Sequence, residues 1–122
     1  MPVLTCTDPE AVGRFLTDGL GFRLAGWRRD AEGAAAFGIV RLGAVTLALQ
    51  RGEARAPAGW SAYVFVHDAR DFAAFAAAQG VAIIRGPEDT RHACREVEVA
   101  SPEGHVLVFA EDLAPGPEGP GL

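Results

Sequence analysis

Glu96 and Glu98 stand one residue apart in a stretch that alternates with the apolar Val97 and Val99, the period-2 pattern of a strand. Alternation puts both carboxylates on one face, where they either offer a cation two anionic groups or form a solvated side of the sheet. A second such stretch carries Ser61, Tyr63 and Phe65 on one face. That hydroxyl and those rings could hold a flat molecule by stacking, or else fill a core or subunit interface. Of the three histidines, His67 adjoins a helix start, His92 falls in a loop and His105 follows a Pro-Glu-Gly turn. None is spaced as a metal ligand, and each reads as a surface or supporting residue. In a metal-free enzyme, His92 or Glu98 would be the candidate general base. Cys6 and Cys94 lie far apart, match no CxxC or Cys/His spacing, and read as reduced, buried thiols.

The elements that must position these residues belong to a chain of 122 residues, 49% hydrophobic and 22% charged, the size and composition of one globular domain. Net charge is −5 and all 11 basic residues are arginine. No basic stripe is present to neutralise phosphates, so nucleic acid is not an expected partner, and the acidic field favours cationic ligands. No apolar run approaches the ~20 residues of a membrane span. Met1 to Thr7 is too short and uncharged for a signal sequence, so a soluble, cytoplasmic protein is expected.

Pro2 to Thr7 alternates as a strand, and Asp8-Pro9-Glu10 supplies an N-cap, a first-turn proline and an acidic first turn for a helix to about Leu20. Strands follow at Phe22 to Trp27, Ala34 to Arg41 and Val45 to Gln50. The same order recurs: strand Ser61 to Val66, a helix capped at Asp68 and ended by Gly80, then strands Val81 to Arg85, Arg95 to Ala100 and His105 to Ala110. Asp8 and Phe15 are answered by Asp68 and Phe75, and the turn at Gly43 by that at Gly104. The expectation is therefore an α+β fold of two βαβββ modules, 2–50 and 61–113, in one domain spanning 1–113, with a linker over 51–60. Neither half is large enough for a strong core of its own, so the halves should pack on each other or on a second chain. The Pro- and Gly-rich tail, 114–122, is expected to be disordered. Trp27 and Trp60 sit at element edges as candidates for an interface or a cleft rim.

The tandem arrangement, the opening Pro2-Val3-Leu4-Thr5-Cys6-Thr7-Asp8, the helix end Gly19-Leu20-Gly21-Phe22 and the closing run from Arg95-Glu96 through Ser101-Pro102-Glu103-Gly104 to Phe109 resemble the vicinal oxygen chelate superfamily. That superfamily holds glyoxalases, extradiol dioxygenases and drug-resistance proteins. The resemblance implies curved mixed sheets around a cleft, with helices outside. Its metal-ligand positions fall at about Met1, Ala48, Ser61 and Val108, which offer no good donor set, so no metal or other cofactor is expected. Fixing the inward face by Ala48 and Val108 turns Val3, Thr5, Thr46, Gln50, Ser61, Tyr63, Phe65, Val106 and Ala110 inward, a mixed aromatic and neutral polar lining. The opposite parity, including Leu4, Cys6, Leu47, Leu49, Val64, Leu107 and Phe109, is wholly apolar, as helix packing demands.

Within the superfamily the chain is most similar to bleomycin resistance proteins, which lack the metal and sequester a cationic drug in clefts of a dimer. Pro2-Val3-Leu4-Thr5, Phe37, Val45-Thr46-Leu47, Tyr63, Phe65 and Arg95-Glu96 carry that resemblance; His92-Ala93 stands where such proteins commonly have Trp-Gly. What it implies is non-catalytic binding of a small aromatic or cationic antibiotic by a homodimer, through Phe37, Trp60, Ser61, Tyr63, Phe65, His92, Glu96 and Glu98. The alternative is an enzyme of the same superfamily acting on another small molecule, either with a metal or without one.

Overall fold

The computed structural model describes residues 1–53 and 59–115. The first half orders as β1 (Val3–Cys6), α1 (Pro9–Arg14), β2 (Arg23–Arg29), β3 (Ala35–Leu42) and β4 (Val45–Arg51). The second orders as β5 (Ala62–Phe65), α2 (Ala69–Ala78), β6 (Ile83–Asp89), β7 (Cys94–Ala100) and β8 (Val106–Asp112). Each half forms its own four-stranded sheet, β1-β4-β3-β2 and β5-β8-β7-β6, in which only the first strand of the half pairs in parallel. These are the two βαβββ modules expected from the repeat. Half of the linker, 54–58, lies outside the described residues, as does most of the tail expected to be disordered.

Both helices start where side chains take over orphan amides. Asp8 accepts from Ala11 N at 3.1 Å, and Asp68 accepts from Asp71 N at 2.9 Å. The first helix departs from the expected single run to Leu20. It widens into a π-helical turn over Phe15–Gly19, which sets Gly19 against the second module; a Cβ there would stand 2.7 Å from Val81 Cγ2. Strand β6 also runs past its expected end at Arg85. The chain bulges at Gly86, where φ is +85°, and regains its pairing with β7 at Glu88. Neither departure leaves a period-2 or period-3.6 signal.

Alternation sorts the two faces as expected. Leu4, Cys6, Leu47, Leu49, Val64, Leu107 and Phe109 all join one core beneath the helices. Phe109 locks the modules together, stacking on Phe72 of α2 at 4.3 Å and meeting Phe22 of the first module edge-on at 6.2 Å. Trp27 packs against this layer: it covers Gly38, where a Cβ would come within 2.3 Å of its ring.

Polar ties join the modules too. The Glu103 carboxylate accepts from Thr7 N at 2.6 Å, Asp8 N at 2.9 Å and the Thr7 hydroxyl at 3.0 Å. Of the two readings offered for His105, the surface one is corrected and the supporting one fits. It is 5% exposed, with Nδ1 at 2.7 Å from the Ser101 hydroxyl and Nε2 at 2.9 Å from the Thr5 carbonyl. The short turn from Ser101 to Gly104 folds its ring back toward the first module, which alternation along β8 does not reveal. No helix among the described residues is long and apolar enough to cross a membrane.

Candidate functional site

The face of each sheet turned away from the helices carries the residues of chemical interest. In the second module, register aligns Phe65 with Ala110 and Glu96, and Tyr63 with Val108 and Glu98. Trp60 precedes the strand, half exposed, and its ring lies 5.3 Å from Tyr63; Phe65 meets Tyr63 edge-on at 5.4 Å. Three aromatic rings thus form a continuous run along one sheet edge. Ser61 stands at its root, half-buried, its backbone amide donating to Val106 O at 2.7 Å.

Beside the run lies an ionic cluster. Glu96 is 3% exposed and accepts from the Tyr63 hydroxyl at 2.6 Å and from Arg85 Nη2 at 2.9 Å. Arg85 Nε donates to Glu98 at 2.6 Å, and its Nη1 to Glu88. Burial pushes the Glu96 carboxyl upward, but the hydrogen bonds from Tyr63 and Arg85 outweigh it and hold the group below its ordinary value. Burial, then the hydrogen bond to Glu96, pushes the Tyr63 phenol above its ordinary range, with the Cys94 thiol beside it contributing. Both carboxylates of the expected pair therefore face one side, and Arg85 already bridges them. Three carboxylates against one guanidinium still leave an excess of two negative charges.

Arg85 and Glu88 are the residues that sequence reasoning missed, and Arg85 is the one that joins the cluster. Its strand was foreseen, but its reach to Glu96 depends on the bulge at Gly86, where a Cβ would meet Glu96 O at 2.0 Å. His92 sits exposed in the turn before β7 and contributes a favourable charge toward Glu96 without contacting it. Phe37 lies on the other sheet. It aligns with Arg28 and Gln50, and the three line a depression of about 510 Å³.

The positions at which the metal-dependent members would carry ligands do not form a donor set. Ala48 and Val108 are wholly buried and apolar, Met1 is 69% exposed, and Ser61 is half-buried. No group of three His, Cys, Asp or Glu side chains among the described residues could hold a metal ion.

A family model described as the Glyoxalase/Bleomycin resistance protein/Dioxygenase superfamily matches residues 2–109. The chain belongs to this superfamily. No curated protein matches it by sequence. Among solved structures, TioX from Micromonospora sp. ML1 is 26% identical over 89% of this chain and 94% of its own, with a TM-score of 0.74. A bleomycin-binding protein from bleomycin-producing Streptomyces verticillus, solved with copper(II)-bleomycin, is 27% identical over 88% and 90%, with a TM-score of 0.69. TnmS3, an antibiotic binding protein from Streptomyces sp. CB03234, is 20% identical over 89% and 90%, at 0.69, a likeness of fold alone. The superfamily includes proteins that bind and proteins that catalyse, so the side chains on the two faces must distinguish them.

Proposed function

We propose that this superfamily member binds and sequesters a small aromatic or cationic antibiotic of the bleomycin type, without catalysis, in clefts shared by two copies of the chain. The observation that carries the reading is the run Trp60, Tyr63, Phe65 beside the ionised, buried Glu96. Rings stack on the flat part of a ligand, and the carboxylate excess attracts its positive part. Bleomycin binding by the Streptomyces verticillus protein, 27% identical, supports the same reading. Ala48 and Val108, where metal ligands would be needed, speak against a metal-dependent lyase or dioxygenase. The work belongs in the cytoplasm, where Cys6 and Cys94 stay reduced.

The open faces support the homodimer. Val3 is 50% exposed and Trp60 52%, so each face presents apolar surface at its edge among the described residues. Calorimetric titration of metal-stripped protein with metal-free bleomycin, with and without added divalent ions, tests the proposal. It expects one drug per chain, sub-micromolar affinity and no dependence on metal. Tyr63→Ala should cost about 0.5 to 1.5 kcal/mol of binding while leaving the dimer intact by sedimentation. Absence of binding in both conditions rejects the drug assignment and leaves the fold standing.

A further inference from the structure

The register of the first sheet sets four different side chains in one transverse row. Arg28 pairs with Phe37, Phe37 with Gln50, and Gln50 with Thr5. A guanidinium, a ring, an amide and a hydroxyl therefore cross one face, strand by strand, ~4.8 Å apart. Three of them line the depression of about 510 Å³, together with Ala36 and Arg51. Arg51 is held by Asp30 at 2.8 Å. Arg28 is exposed, and its side chain makes no ion pair or hydrogen bond among the described residues. The equivalent row of the second sheet runs Glu88, Glu96, Ala110, Phe65. At matching places, then, one face presents a free cation beside a ring and the other presents carboxylates.

We infer that the depression over β2, β3 and β4 is a subsite for a planar aromatic carboxylate. The ligand ring lies on Phe37, the carboxylate meets the Arg28 fork, and the Gln50 amide donates to an oxygen of the same ligand. A guanidinium fork matches two carboxylate oxygens, and an aromatic wall excludes water from one side of the pair. One uncommitted charge suits a monoanion. A phosphate dianion would need a second free cation, and Arg51 is engaged with Asp30. The inference rests on the reading of this protein as a small-molecule binder, and adds that its ligand carries an anionic ring as well as any positive group held at the second face.

The test is a ¹⁵N–¹H NMR titration of the full chain with 2-naphthoate and, in parallel, 2-naphthamide, which keeps the ring and removes the charge. The expected result is movement of the Arg28, Phe37 and Gln50 signals, with up to about fivefold tighter binding of the acid, the range for one exposed ion pair. Arg28→Gln should erase the preference for the acid, and Phe37→Ala should weaken both probes. Because Arg28 is exposed, its variant keeps the fold, which unmoved core signals verify. Equal affinity for acid and amide, or movement confined to other surfaces, overturns the subsite. If naphthoate moves nothing on this face while metal-free bleomycin still perturbs Trp60, the subsite alone is wrong; if neither acts, the binding reading falls with it.

Discussion

Glu96 owes its charge to two donors, and each can be removed separately. Tyr63→Phe deletes a hydrogen bond to an ionised, buried group and should cost about 1.5 to 3 kcal/mol in urea denaturation. The pH dependence has a defined sign. The folded pKa of Glu96 lies below its ordinary value of 4.5, so its contribution to stability is fully present above that value. It is lost as pH falls through the lowered folded pKa. Tyr63→Phe raises the folded pKa toward the ordinary value, so the loss should become smaller and end at higher pH, and an unchanged acid limb would remove Glu96 from the account. The aromatic members and the pair Glu96 and Glu98 were legible in the sequence because alternation alone places them on one side. Arg85 was not, since nothing in its own strand records which carboxylates it reaches.

Strand β6 shows what a local pattern can hide. Its apolar alternation predicts an end at Arg85, yet the strand continues beyond a bulge whose close approach only a glycine allows. Gly86→Ala would drive a Cβ into the Glu96 carbonyl and strain a residue at positive φ. The expected outcome is a loss of about 1 to 3 kcal/mol of stability, with tighter binding of cationic ligands as Arg85 releases its carboxylates. Denaturation and calorimetry on the same variant check both effects. The other elements were foreseen almost residue by residue, because caps at Asp8 and Asp68 and glycines at turns are chemical requirements of the backbone. The π-helical turn over Phe15–Gly19 was not, because it serves contact with Val81, far away in sequence.

Two modules become one molecule through a core at Phe109 and a polar seam at Glu103 and His105. The repeat made the duplication readable, whereas the seam depends on how the halves meet. Glu103 accepts two backbone amides and a hydroxyl of the first module, and those bonds outweigh its partial burial to keep its carboxyl below the ordinary value. Glu103→Gln should cost about 1 to 2 kcal/mol, because the amide replaces a charged acceptor with a neutral one. Thermal unfolding of the variant should remain a single transition if the Phe109 core still couples the halves; two separated transitions would show that the seam carried the coupling.

The measurement that reaches the central claim most directly uses the two tryptophans as opposed reporters. Trp60 lies half exposed against Tyr63, whereas Trp27 is packed over Gly38 beneath the first helix. In a ¹⁵N–¹H spectrum, metal-free bleomycin should shift the Trp60 indole signal in a saturable way and leave the Trp27 indole in place. A Trp60 signal that stays fixed at saturating drug would contradict the aromatic face as the binding site.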